Sequence, residues 1–319
     1  MKRSVLVTLA DAGYINQAKQ LFSSAHWNGG WDGDYLLLAC EIPERSLGWF
    51  REKGVSVKKC ELLHHEKIQR YHPVVLSKLY LFCEEMKQWE NVVYLDADII
   101  VRGPLGSLAD VKGFGACRDF LWHTLRDNMV THPGENRGAL ARAEDEYDLS
   151  GTAFNTGVMA FSTDIIKDRT FSDIKNIFEE NKALCRNPDQ LVFNLFFYRR
   201  WIMLPSVYNC FFYAVPYLKI WNVKAVILHF IIARRKPWNT GSPFYGEWEQ
   251  NLGRAGPMNI RRPPAVARWD PAEVEKRSRT IDVIEKAACF MREALNRIAD
   301  SLGLKRALYR RYPDGYWRL

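Results

Sequence analysis

The stretch Val93-Tyr94-Leu95-Asp96-Ala97-Asp98-Ile99-Ile100-Val101 says more about the fold than any other part of this chain. An apolar run, predicting a buried strand over 91–95, ends in two carboxylates two positions apart, and apolar residues resume behind them. In an extended chain, i and i+2 point to the same side. Two carboxylates so placed repel each other unless a cation sits between them. Hard oxygen ligands at this density suit Mg²⁺ or Mn²⁺, which keep positions open for phosphate oxygens. Open α/β sheets bind ligands beyond the carboxyl ends of their strands, which is where this pair falls. A solvated Asp-x-Asp also arises by chance. The apolar flanks weigh against that here, because buried surroundings make two unneutralised carboxylates costly.

Upstream, strand-like and helix-like segments alternate. Apolar runs at 4–9 and 34–40 and a strand at 55–60 are separated by helical spacing at Ile15, Ala18, Leu21 and Phe22 and by an expected helix over 44–53. A further helix is expected over 74–89. This rhythm predicts a parallel sheet covered on both faces. Residues 119–150 are polar, contain Pro133, Gly134 and Gly138, and show no clean period. They read as a long excursion over the active face. Strands at 154–161 and 224–231 and helices at 164–181 and 189–198 complete an α/β domain over 1–253. A Pro/Arg-rich linker over 254–270 follows. Residues 271–319 hold an amphipathic helix, with Ile281, Ile284, Ala288, Met291, Leu295, Ile298 and Leu302 in steps of three and four, and a basic aromatic tail.

Composition sets the outer limits. Hydrophobic residues at 47% and charged residues at 26% exclude global disorder. A net charge of +8 suits an anionic partner: nucleic acid, an acidic membrane face or a phosphorylated small molecule. No nucleic-acid-binding signature is present, which leaves the other two. The seven cysteines are scattered, without a Cys-x-x-Cys, and read as reduced thiols of a cytoplasmic protein. The apolar stretch 5–10 is too short for a secretion signal and Asp11 cuts it off. No uninterrupted apolar run is long enough to span a bilayer.

Three further segments carry chemistry, each with an ordinary alternative. Ile227-Leu228-His229-Phe230 ends a buried strand in a histidine, which can be a satisfied core residue or, beside the two aspartates, a third metal ligand through a neutral imidazole nitrogen. Lys236-Pro237-Trp238, preceded by Arg234 and Arg235, is a solvated basic turn or a cation set for a departing diphosphate. Phe154-Asn155-Thr156-Gly157 is a turn into a strand or a loop that lets a polar ligand approach backbone. A fourth, Pro188-Asp189-Gln190, opens an apolar helix. An acid there can simply favour the helix start.

Together and in this order, these segments resemble glycosyltransferase family 8, the group that includes glycogenin, galactinol synthase and bacterial lipopolysaccharide hexosyltransferases. The resemblance runs from about Val5 to Trp238. It implies the GT-A fold, a Rossmann-like α/β nucleotide-diphospho-sugar transferase architecture, here with a C-terminal helical extension. It also implies a Mn²⁺ (or Mg²⁺) cofactor, a UDP-sugar donor, and hexose transfer with retention of configuration. By this resemblance Asp96, Asp98 and His229 are metal ligands, and Asp189 and Gln190 stand beside the reacting carbon. Thr8, Tyr14, Lys78, Ala97, Asn155 and Lys236 contact the donor together with the two aspartates. The gap from His229 to Lys236 is one residue longer than in glycogenin. Ala233-Arg234-Arg235 stands where a glycine is often found, which implies a grip on the diphosphate through side-chain cations.

The acceptor is not encoded in any motif. A glycan or lipid-linked acceptor of surface polysaccharide assembly is the first expectation and a polyol, as for galactinol synthase, the second. A non-catalytic nucleotide-sugar-binding protein and a nucleotidyltransferase are the rivals from other classes. The C-terminal helix either packs on the domain or pairs with itself in a homodimer. Alternatively, with the tail, it touches an anionic membrane peripherally.

Overall fold

Val5, Leu6 and Val7 are fully buried, and so are Leu37 and Leu38. Runs this apolar on both faces belong to a parallel sheet sandwiched between two layers. The computed structural model describes residues 2–129, 137–211, 222–232 and 235–303. In it, β1 (Lys2–Ala10), β2 (Asp34–Cys40), β3 (Ser56–Cys60) and β4 (Trp89–Leu95) run parallel in the order β3-β2-β1-β4. Beyond β4, after the short β5 (Ile99–Val101), the chain adds β6 (Phe114–Arg118), β7 (Phe154–Ser162) and β8 (Ile202–Met203). The seven-stranded sheet then reads β3-β2-β1-β4-β7-β6-β8, with β7 antiparallel to both its neighbours. A second, three-stranded sheet joins β5, β10 (Ile227–His229) and β9 (Cys210–Phe211) in the order β5-β10-β9.

Strand alternation divides the core in two. Leu6, Val93 and Leu95 face one layer with Leu21 and Phe22 of α1 (Ile15–Trp27). Val5, Val7, Val92 and Tyr94 face the other. That second layer holds Phe178 of α4 (Thr170–Asn181) and Leu191 and Val192 of α5 (Pro188–Phe196). The short α2 (Gly48–Glu52) and α3 (Arg137–Glu146) precede these last two helices in the chain.

Several expectations change in detail. The helix expected over 74–89 is two 3-10 segments, Pro73–Phe82 and Glu84–Gln88, broken at Cys83, whose backbone is extended. The β-branched pair Val74-Val75 lowers the preference for a regular α-helix there. The region 44–53 splits into the 3-10 turn Glu44–Ser46 and α2. The excursion 119–150 contains α3, which includes Gly138; only Ala143 of that helix is buried, so no period marks it. Pro133 and Gly134 lie outside the described residues. Strands β6, β8 and β9 were not expected; β8 and β9 are two residues each, too short to show alternation.

The Pro/Arg-rich stretch packs against the sheet domain. Met258 is buried, Trp27 Nε1 donates to the Arg254 carbonyl at 3.0 Å, and the Arg277 guanidinium lies 3.6 Å from the centre of the Trp269 ring. Helix α6 (Tyr245–Gly253) packs on α1, and α7 (Pro271–Ser301) follows. The first half of α7 docks through Ile281, Glu285 and Ala288, all buried, whereas Leu295, Ile298 and Leu302 are exposed. The basic aromatic tail, 304–319, lies outside the described residues. All seven cysteines are buried thiols, none of them in a disulfide. Among the described residues no helix is long and apolar enough to cross a membrane.

Candidate active site

The carboxyl ends of β1, β4 and β6 and the amino end of β7 meet at one edge of the large sheet, because β7 alone runs against the others. Asp96-Ala97-Asp98 is the turn that carries the chain from β4 into β5 of the small sheet. The two carboxylates converge through this turn, not through strand alternation as the sequence spacing suggests. Strand β10 pairs antiparallel with β5, His229 opposite Ile99, and the Phe230 N–H donates to the Asp98 carbonyl at 3.1 Å. That ladder sets His229 Nε2 3.2 Å from Asp98 Oδ1 and 3.8 Å from Asp96 Oδ2.

A chain of amides fixes which imidazole nitrogen carries the proton. Asp119, fully buried after β6, accepts from the N–H groups of Leu121 (2.6 Å) and Trp122 (2.8 Å), and from Gln190 Nε2 (2.9 Å) and Asn155 Nδ2 (3.3 Å). With its amide nitrogen turned to Asp119, Asn155 presents Oδ1 to the Gly157 N–H (2.9 Å) and to Asn209 Nδ2 (3.0 Å). Asn209 Oδ1 therefore faces His229 Nδ1 at 2.9 Å as an acceptor. In the neutral imidazole, Nδ1 therefore bears the hydrogen and the Nε2 lone pair points at Asp98.

Asp98 Oδ1 is buried and has no hydrogen-bond partner among the described residues. A lone pair and a carboxylate oxygen at 3.2 Å repel unless a cation joins them. Two atoms each about 2.1 Å from one ion, at a right angle, sit about 3 Å apart, so the spacing fits a shared divalent cation. Ligand atoms of Asp96, Asp98 and His229 all lie within 4.8 Å of one another.

Two lysines complete the charge pattern. Lys236 Nζ is 2.5 Å from Asp98 Oδ2 and 2.6 Å from the Phe230 carbonyl. Burial alone would raise the Asp98 pKa, but the Lys236 ammonium outweighs it and holds the carboxyl well below the usual range. Lys78 lies between Asp96 (2.9 Å) and Asp189 (2.7 Å). Burial would lower its pKa; the two carboxylates reverse that and raise it. Asp189 is in the first turn of α5 yet does not cap it: its Oδ2 takes Lys78 and the Thr156 hydroxyl, at 2.7 Å each.

These groups border a cavity of about 730 Å³. Tyr14, Lys78, Asp96, Ala97, Asp98, Asn155, Asp189, Gln190, His229 and Lys236, all expected from sequence, line it. Thr8 does not. Its hydroxyl is fully buried and donates to the Leu95 carbonyl at 2.7 Å, stitching β1 to β4, so Leu9, Ala10 and Asp11 face the cavity instead. Asn155 and Gly157 belong to β7, not to a loop, and the glycine answers to a different neighbour than a ligand. A Cβ on Gly157 would stand 2.1 Å from His229 Cε1. A register shift of β7 against Ala116 and Cys117 in β6 re-aims Asn155 and Thr156 into the cavity. Of the expected basic run, Ala233 and Arg234 lie outside the described residues.

Asp119, Asn128, Asn209 and Tyr94 were missed. Asn128 Oδ1 accepts from Gln190 Nε2 at 2.8 Å, and Tyr94 OH donates to Asp96 Oδ1 at 2.6 Å. Asp119 carried a weak signal, standing two residues beyond the short apolar run Phe114-Gly115-Ala116-Cys117. The asparagines carried none.

The sequence pattern of Glycosyl transferase family 8 matches residues 38–241. Glycosyltransferase GlyF of Streptococcus pneumoniae serotype 4 is 25% identical over 260 residues, which are 75% of this chain and 58% of that protein. A lipopolysaccharide 1,2-glucosyltransferase of Escherichia coli is 24% identical over 204 residues, 59% of this chain and 56% of that protein. The chain thus spans less than two thirds of either relative. Among solved structures, the galactosyltransferase LgtC bound to donor and acceptor sugar analogues superposes with a TM-score of 0.59 at 16% identity, covering 86% of this chain and 99% of LgtC. The bifunctional glycosyltransferase WbbM gives 0.59 at 19% identity, covering 86% of this chain and 52% of WbbM. At these identities the likeness is one of fold, and the fold is GT-A.

Proposed function

Because this chain belongs to glycosyl transferase family 8, we propose that it transfers a hexose from a UDP-sugar to a hydroxyl group, with retention of configuration and dependence on Mn²⁺ or Mg²⁺. The observation that carries the reading is the meeting of Asp96, Asp98 and His229 with Lys78, Lys236, Asp189 and Gln190 around one cavity. Asp96, Asp98 and His229 would hold the cation, whose chemistry when bound is Lewis-acid stabilisation of a diphosphate leaving group. Lys236 would add a positive charge where negative charge grows on the leaving phosphate. Lys78 keeps the Asp96 and Asp189 carboxylates from repelling each other. Asp189 and Gln190 offer oxygens to the positive charge that develops at the anomeric carbon. Tyr14, 37% exposed and edge-on to Trp238 at 5.7 Å, forms an aromatic wall for the uracil end of the donor.

A panel of UDP-glucose, UDP-galactose, UDP-N-acetylglucosamine and UDP-glucuronate, incubated with Mn²⁺ and no acceptor, tests this. Slow UDP release from one donor, stopped by EDTA, is the expected result. No release and no donor binding would leave a binding protein on this fold, and pyrophosphate release would mark a nucleotidyltransferase.

The acceptor belongs, on this proposal, to surface polysaccharide or lipid-linked glycan assembly at the cytoplasmic face of a membrane, in keeping with the lipopolysaccharide enzyme among the relatives. The tail, with Lys305, Arg306, Arg310, Arg311, Tyr316 and Trp317, would supply a peripheral contact to anionic lipid. In co-sedimentation, phosphatidylglycerol vesicles should retain the full chain and lose one lacking 304–319. Equal retention of both would remove the tail from this role.

A further inference from the structure

The small sheet that positions His229 has an edge strand of two residues, β9, and a helix rather than a strand covers that edge. Glu285 of α7 is fully buried, and its Oε1 accepts the Phe211 N–H at 2.9 Å. One and two turns earlier on the same helix, Asp282 accepts from the Ser206 hydroxyl at 2.6 Å, and the Ser278 hydroxyl accepts from the Val207 N–H at 3.3 Å. One turn later, Cys289 Sγ donates to the Phe120 carbonyl at 3.0 Å, directly behind Asp119. Residues 278, 282, 285 and 289 are spaced four, three and four, which puts them on one helix face. That face grips both segments whose side chains orient the imidazole: 206–211, with Asn209 in its middle, and Asp119-Phe120.

Phe211, whose N–H donates to Glu285, belongs to a small apolar cluster with Phe120, Ile232, Ala288 and Cys289. Burial pushes the Glu285 pKa well above the usual carboxylate range, and its Oε2 has no hydrogen-bond partner among the described residues. Phe211 lies opposite His229 in the β9–β10 pairing, and the two rings are 5.8 Å apart.

We propose that Glu285 is a positioning residue of the metal site, holding β9 through the Phe211 N–H and thereby fixing Asn209 against His229. The inference rests on the reading of Asp96, Asp98 and His229 as metal ligands. Removing the acceptor leaves a buried N–H unpaired and frees the strand to shift. A shift at Asn209 unsettles the imidazole, and partners that orient metal-ligating histidines typically change affinity by about 10–100-fold.

The test is calorimetric titration of the full chain with Mn²⁺, without donor, alongside Tm in EDTA, for Glu285→Gln and Glu285→Leu. Glu285→Leu should bind Mn²⁺ about tenfold more weakly or worse. Glu285→Gln should bind as the wild type does, because its amide carbonyl accepts the same N–H. Unchanged Mn²⁺ affinity in a folded Glu285→Leu protein, whatever its Tm, overturns the proposal. So does a Glu285→Gln protein as weak as the leucine variant. If Glu285→Leu does not fold, the pair Ser278→Ala with Asp282→Ala loosens the same segment, and undiminished Mn²⁺ binding there overturns it equally. A wild-type chain that binds no Mn²⁺ in this titration removes the metal reading itself, and this inference with it.

Discussion

Asp98→Asn should lower turnover by about three orders of magnitude, equivalent to about 4 kcal/mol of transition-state stabilisation, while leaving the protein folded. The reason lies in the contact between Asp98 Oδ1 and His229 Nε2, an acceptor facing a lone pair at 3.2 Å. An asparagine amide turned toward the ring donates to that lone pair and occupies the direction a cation would use. Its carbonyl still accepts from Lys236, so the loop keeps most of its polar contacts. Without metal, Tm should therefore stay within a few degrees of the wild-type value. With Mn²⁺, the wild type should gain stability by mass action and the variant should gain none. Wild-type turnover with intact manganese activation in Asp98→Asn would remove Asp98 from the site.

How far the sequence could be read follows from which interactions are local. Strands β1, β2, β4 and β7 announce themselves through apolar runs, because each is buried on both faces. Asp96, Asp98, His229 and Lys236 stand out because they end or follow such runs, and the resemblance to a known family supplies their grouping. Thr8 shows where that carry-over stops: an identical-looking position can spend its hydroxyl on a neighbouring strand. Asn128 and Asn209 act through partners 62 and 20 residues away, at turns without period, so nothing near them in the chain marks them; Glu285 lies within the periodic helix α7, but its partner is 74 residues away. Asp189 invited the opposite error. Its place in the first helical turn suggests a local electrostatic role, and only the folded chain shows Lys78, from 111 residues upstream, on its carboxylate.

Gly157→Ala should be as damaging as the loss of a metal ligand, although it adds one methyl group to a strand far in sequence from His229. The backbone at 157 is not in the left-handed region, so alanine is unstrained there; the obstacle is the ring. The new Cβ would lie 2.1 Å from Cε1, 2.8 Å from Nδ1 and 2.9 Å from Nε2, against a comfortable carbon–carbon contact of about 3.5 Å. The ring has little room to retreat, with Asn209 hydrogen-bonded to Nδ1 and Phe211 beside it. Either β7 or the imidazole must move, at a typical overpacking cost of about 1–3 kcal/mol. A displaced imidazole would also be lost to the proposed metal site, so Mn²⁺ binding and turnover should fall together. Tightness alone would predict the stability loss; the cause is identified by a double-mutant cycle with His229→Ala, which removes the obstructing ring. In the His229→Ala background, Gly157→Ala should become nearly neutral in Tm, while metal binding stays lost. A fully additive cycle would mean that the methyl group meets something other than His229, and the close packing of Gly157 under the imidazole would no longer explain why a glycine stands there.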